Sequence, residues 1–149
     1  MIIVCLYGEN VNGMIRTEEV GNMASASSVN GDVRKKLVEL QQKLAATTDV
    51  VMDGRDIGTV VLPDADLKIF LTASPEARAQ RRWKELGEKG IDEPYEKVLA
   101  EIVERDRQDT TRAAAPLRQA EDAVAVDTTE YDLEESLDLL LKLVKETLT

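Results

Sequence analysis

An α/β fold with a parallel sheet is what this chain predicts, and three observations carry the prediction. Short apolar runs of strand length occur at Val50-Val51-Met52, at residues 67–71 (LKIFL) and at residues 123–126 (AVAV). Stretches with helical spacing lie between and after these runs, with lengths that suit crossover helices between parallel strands. No internal repeat, low-complexity stretch or linker divides the 149 residues. A chain of that length holds one core that buries about 68–70% of its unfolded surface.

Taken in order, the opening run MIIVCL is apolar but has neither a basic lead nor a small-residue cleavage site. It is therefore not read as a signal peptide. Val33, Leu37, Leu40 and Leu44 recur at spacings of four, three and four, which is one face of a helix. Residues 50–52 follow as the first buried strand and end in the turn Asp53-Gly54-Arg55-Asp56-Ile57-Gly58. LKIFL is the second strand. Ser74-Pro75-Glu76 then opens a helix with a hydroxyl N-cap and proline at the first helical position. Tyr95, Leu99 and Ile102 mark another helix, and AVAV is the last strand. The final helix starts at Asp132, with Glu135 in capping-box position, and runs through Leu137, Leu140, Leu141, Val144 and Leu148. Ligands on parallel sheets sit at the carboxyl ends of the strands. That places the candidate site at residues 53–56 and at Asp127-Thr128-Thr129.

Composition removes several kinds of chemistry. The net charge is −10 and the isoelectric point about 4.6, so binding along a nucleic-acid backbone or an anionic membrane is disfavoured. No run approaches the ~18–20 apolar residues of a membrane span. A single Cys5 excludes an internal disulfide framework and fits a cytoplasmic location. The chain has no histidine, so a Ser-His-Asp triad, a Cys-His pair and a histidine-based metal site are impossible within it. Phosphoryl transfer fits this limit, because it depends on positioning and charge neutralisation.

Two constellations remain. Seven of the ten arginines fall between Arg78 and Arg118, a cationic belt in an acidic protein. Arginine forks suit phosphate geometry; ion pairing with Glu76, Glu85, Glu101 and Glu104 on helix surfaces is the alternative. In the turn after the first strand, two glycines bracket Arg55 and Asp56. There the backbone can approach a ligand, Asp56 can accept from a base amino group, and Arg55 can hold a phosphate. A structural turn with an internal salt bridge accounts for the same residues equally well.

The stretch MDGRDIGTVVLPDADLKIFLTASPEARAQRR resembles the segment of bacterial cytidylate kinases that opens with their GRD turn. RDRQDTTRAAAPL resembles their lid-proximal arginine motif. IRTEEVGNMAS followed by VRKKL resembles the acceptor-domain insert of those enzymes. The similarity runs from about Val4 to Leu148. It implies a P-loop-kinase-like parallel sheet with flanking helices, with residues 1–48 a remnant of the CMP-binding insert and 49–149 the core and lid portion. It also implies transfer of the ATP γ-phosphoryl to CMP or dCMP, within pyrimidine metabolism, with ATP and Mg²⁺ on the donor side. The family's cytosine pocket falls on Ser25, Arg34, Asp56 and Arg112, and its pentose contacts on Arg105 and Asp109. Its acceptor-phosphate contacts fall on Arg55 and Arg112. Arg78 and Arg82 resemble the arginines that neutralise the transferring group, with Arg105 and Arg112 beside them; no metal ligand is implied among these residues.

The family opens with a strand, a G-x-x-x-x-G-K-[ST] loop and a helix, and this chain has no such sequence. Gly8 to Gly13 has the glycine spacing, but Met14 and Ile15 follow where the lysine and hydroxyl belong. The resemblance instead places MIIVCLYGENV as a strand of the insert. It also leaves the sheet without its central first strand, between those that resemble residues 50–52 and 67–71. An empty slot there forfeits contacts comparable to the ~5–15 kcal/mol stability of a domain. The expectations are therefore a longer natural protein, re-pairing of residues 1–7 into the slot, or a strand donated by a second copy. As written, the chain is expected to keep the acceptor site without catalysing transfer. The competing expectation from another class is a non-catalytic pyrimidine-nucleotide-binding or assembly module.

Overall fold

The computed structural model describes residues 4–15, 17–28 and 30–148, the side chains of Glu18, Asn22, Ser25 and Leu148 excepted. They fall into two units, Met1–Val50 and Val51–Thr149.

In the first unit, β1 (Cys5–Leu6) and β2 (Glu9–Asn10) pair antiparallel with Leu6 opposite Glu9. The two-residue turn between them puts both Tyr7 (φ 51°) and Gly8 (φ 87°) in the left-handed region. That geometry matches the twist of a hairpin, and glycine adopts it without strain. The strand expected over MIIVCLYGENV is thus a hairpin, because Gly8 turns the chain; residues 1–3 lie outside the described residues. Cys5–Leu6 pairs with Glu9–Asn10 and not with the parallel sheet, which corrects the expected re-pairing of this segment for the residues described.

Helix α1 (Glu18–Ser27) is capped by Thr17, whose hydroxyl accepts from the Val20 amide at 3.3 Å. Apolar spacing gives no sign of this helix. Helix α2 (Gly31–Ala45) follows the predicted stripe, with Asn30 accepting from the Asp32 and Val33 amides. Val33, Leu37, Leu40 and Leu44 are all exposed.

The second unit is built on β3 (Ile69–Thr72) and β4 (Val124–Asp127), paired parallel in the register Ile69 to Val124 through Thr72 to Asp127. This confirms the predicted strand type; AVAV lies one residue early, and LKIFL starts two residues early and ends one early. Residues 50–52 do not form the expected strand, and Val51 is fully exposed. An apolar run becomes a strand when a neighbour takes its backbone donors and acceptors, and no described strand does so here.

The crossover from β3 to β4 consists of α3 (Pro75–Glu88) and α4 (Tyr95–Thr111), packed against each other with Ala79 and Val98 buried. The Ser74 hydroxyl caps α3 by accepting from the Ala77 amide at 3.1 Å, with Pro75 at the first helical position as predicted. Its other end closes at Gly90 (φ 76°), where the Ile91 amide reaches the Leu86 carbonyl and the Gly90 amide reaches Gly87. Trp83 stands edge-on to Tyr95, ring centroids 6.4 Å apart, and its indole nitrogen donates to the Glu93 carbonyl at 3.0 Å. Helix α5 (Leu133–Leu148) starts with the predicted capping box: the Asp132 amide donates to Glu135 and the Glu135 amide to Asp132, both at 2.9 Å. No helix among the described residues is long and apolar enough to cross a membrane.

Candidate functional site

A cleft of about 530 Å³ lies in the second unit. Every residue from Lys68 to Ala73 bounds it on one side, and the turn from Asp53 to Thr59 (Asp56 excepted) on another. Ile57, Ile69, Phe70, Leu71 and Leu117 supply an apolar lining. Its charged lining is five cations (Arg55, Lys68, Arg78, Arg81, Arg118) against three carboxylates (Asp53, Asp106, Asp109). A cationic excess inside a chain of net charge −10 suits a small anionic ligand.

The turn owes its shape to local sequence. The Asp56 carbonyl accepts from the Val60 amide at 2.9 Å and the Val61 amide at 3.2 Å, and Ile57 to Val61 form one turn of π-helix. Such turns are rare and recur at functional sites. A side-chain carbon at Gly54 would sit 2.9 Å from the Ile57 side chain, which would have to shift, whereas one at Gly58 would make ordinary contact with the Lys68 stem at 3.4 Å. Lys68, with its side chain 8% exposed, fastens the base of the cleft by bonding both Asp122 oxygens (2.8 and 2.6 Å) and the Pro63 carbonyl. The ammonium beside Asp122 lowers that carboxyl below its usual range.

Helix α4 carries two carboxylates one turn apart, and each holds an arginine from another element. Arg55 Nε donates to Asp109 Oδ2 at 3.0 Å, and Arg112 Nη1 stands 3.9 Å from Asp109 Oδ1. Arg112 also donates from Nε to the Ala115 carbonyl at 2.7 Å; its Nη2 is buried with no hydrogen-bond partner among the described residues. Ala115 itself has φ 48°, a conformation that strains any residue with a side chain. Arg78 grips Asp106 with both terminal nitrogens, at 2.9 and 2.5 Å, and donates from Nε to the Ala73 carbonyl at the end of β3. These bonds raise the Arg78 pKa and lower that of Asp106, in each case against a smaller opposing effect of burial.

Of the site residues assigned through the resemblance, Arg55, Arg78 and Asp109 line the cleft, and Arg112 reaches Asp109; Thr128, at the end of β4, lines it as well. Asp56 is half-buried beside them in the chain but does not line the cleft. Arg105 is exposed on α4, and Arg82 is exposed on α3, drawn to Glu85 at 3.3 Å. A spacing of four puts Arg78 and Arg82 on one helical face, yet the nearer carboxylate turns the second guanidinium aside. Arg34 lies on α2 and donates to the Ser28 carbonyl at 3.4 Å. Ser25 lies on α1, and its side chain is outside the described residues. At the end of β4, Asp127 accepts from the Thr129 amide (2.8 Å) and hydroxyl (2.6 Å), and Thr129 accepts from the Ser74 amide. Thr128 is buried and bonds the Thr72 carbonyl, while Arg81 bonds the Thr128 and Tyr131 carbonyls.

Lys68 and Asp106 are cleft residues that sequence reasoning passed over. Lys68 is hidden inside an apolar run. Asp106 had one available signal, its place three residues before Asp109 on the same helix.

A family model described as cytidylate kinase matches residues 2–146. The chain is 51% identical over 141 residues to the cytidylate kinase of Thermosipho melanesiensis, covering 95% of this chain and 65% of that protein. It is 50% identical over 145 residues to the cytidylate kinase of Geobacter sp. strain M21, covering 97% and 62%. With the cytidylate kinase of Caldicellulosiruptor saccharolyticus it shares 53% over 141 residues, covering 95% and 62%. The chain therefore spans slightly less than two thirds of the length of these curated relatives. Identity of this extent, together with a family match over nearly every residue, means that the chain belongs to the cytidylate kinase family.

Proposed function

We propose that this chain carries the acceptor site of a cytidylate kinase, the part that binds CMP or dCMP for phosphorylation by ATP. The observation that carries it is the cleft in which Arg55, Arg78 and Asp109 meet, with Arg112 beside Asp109 and the end of β3 as one wall. Guanidinium forks bind a phosphate monoester, and a carboxylate accepts from sugar hydroxyls. In this assignment Arg55 and Arg112 take the acceptor phosphate, and Asp109 with Arg105 takes the pentose. Asp56, Arg112, Arg34 and Ser25 take the cytosine. Arg78 and Arg82 neutralise the transferring group. Arg105 and Arg82 would have to swing inward from where they now stand. Residues 1–48 are assigned to the CMP-binding insert.

The donor side fits less well. Gly8 lies in the hairpin turn, Glu9–Asn10 form β2, and the next helix starts only at Glu18, so this glycine-spaced segment is no phosphate cradle. The 149-residue polypeptide is accordingly assigned acceptor binding without transfer. CMP is expected to raise its thermal midpoint, whereas ATP with Mg²⁺ is expected to leave it unmoved. No shift with CMP would defeat the assignment.

A second proposal, a non-catalytic pyrimidine-nucleotide-binding or assembly module, is favoured by the edge of β3 that no described strand covers. A strand from a second copy is the filling it implies. Sedimentation giving a monomer would remove that filling and leave nucleotide binding to be judged by the same titration.

A further inference from the structure

We propose that the Arg55–Asp109 ion pair is a latch released by the ligand's phosphate, which makes this site select a nucleotide over its nucleoside. The proposal rests on the acceptor-site assignment above and adds a device to it.

The two side chains come from positions 54 residues apart and meet through one nitrogen, Nε of Arg55 to Oδ2 of Asp109 at 3.0 Å. The terminal nitrogens of Arg55 make no bond to any described residue. On the other side, Arg112 faces the second Asp109 oxygen from 3.9 Å, and its buried Nη2 also lacks a partner among the described residues. Two guanidinium groups thus share one carboxylate, and donors are left over on both. Asp109 is 16% exposed and Arg55 41%, so the pair is sheltered on the carboxylate side and open on the arginine side.

A phosphate monoester carries about −1.5 to −2 charge at neutral pH and three acceptor oxygens. It therefore outcompetes a single carboxylate for two arginine forks. Once Arg55 turns to the phosphate, Asp109 is an acceptor-only group in need of donors. The hydroxyls of a pentose are donors at the right chemical place. A nucleoside brings the same hydroxyls but no phosphate, and must separate Arg55 from Asp109 without replacing the bond. Phosphate recognition and sugar recognition are coupled through one pair.

The coupling predicts changes of opposite sign. Calorimetric titration of the full chain with CMP, cytidine and inorganic phosphate measures them. Arg55→Gln is expected to weaken CMP binding about tenfold and to strengthen cytidine binding about threefold. Asp109→Asn is expected to strengthen inorganic phosphate binding about threefold and to weaken cytidine. If the unmodified chain binds CMP while Arg55→Gln leaves cytidine unchanged or weaker, the latch is wrong and the acceptor site stands. If the unmodified chain does not bind CMP, both fall. Should Arg55→Gln lose its far-UV dichroism, the phosphate arm of Asp109→Asn decides alone: a gain supports the latch, and no gain overturns it.

Discussion

Arg78 shows what a planar fork does that a point charge cannot: it ties α4 to the carboxyl end of β3 through Asp106 and the Ala73 carbonyl at once. Both partners are about one-third exposed, so solvent screening holds the expected loss in Asp106→Asn to about 1 kcal/mol. The Asp106 pKa is lowered in the folded state, chiefly by the hydrogen bond from Arg78. Its contribution is thus complete above the unfolded carboxylate value of ~3.9 and disappears as pH falls through the lower folded value. Urea midpoints should fall more steeply with acidification below about pH 4 in the unmodified chain than in Asp106→Asn. Equal slopes would remove Asp106 from acid denaturation. At this scale, position was legible where a charged turn or a motif marks it: Arg55 and Asp109, singled out from the sequence, both line the cleft. The direction of Arg82 was not, because helical spacing sets the face and a local carboxylate sets the rotamer.

Elements form where caps and packing agree. Ser74 is a part-buried cap with Pro75 behind it, and Ser74→Ala is expected to cost about 1 kcal/mol in urea unfolding. Ala79 is 0% exposed on α3, which packs against α4, so Ala79→Leu is expected to cost about 1–3 kcal/mol by overpacking. A null effect there would mean that the two helices separate easily. Capping boxes and proline-led starts are local, so α3 and α5 were legible from residues within one turn. Helix α1 was not: Gly21, Asn22, Ser25 and Ser27 dilute its pattern, and Thr17 with the acidic pair Glu18 and Glu19 was its remaining signal. Residues 50–52 failed as a strand for the opposite reason. Their composition suits a sheet, but a strand is a relation between two segments and cannot be read from one.

For the whole molecule, the parallel pairing of β3 and β4 followed from alternation along the chain, whereas the hairpin at Tyr7–Gly8 depended on one left-handed turn. The 149-residue polypeptide is expected to show no ATP-dependent CMP turnover above background in a coupled assay; brisk turnover would refute the acceptor-only assignment. Because the cleft gathers cations in an acidic chain, CMP affinity is expected to fall as ionic strength rises. The edge-on contact of Trp83 with Tyr95 has a practical corollary. Trp83 is the sole tryptophan, so fluorescence excited at the indole band is a label-free gauge of the α3–α4 hairpin. Far-UV dichroism averages over every helix. Melting curves that overlay in both signals would mark one cooperative transition, and curves that part company would time the loosening of that hairpin against the rest.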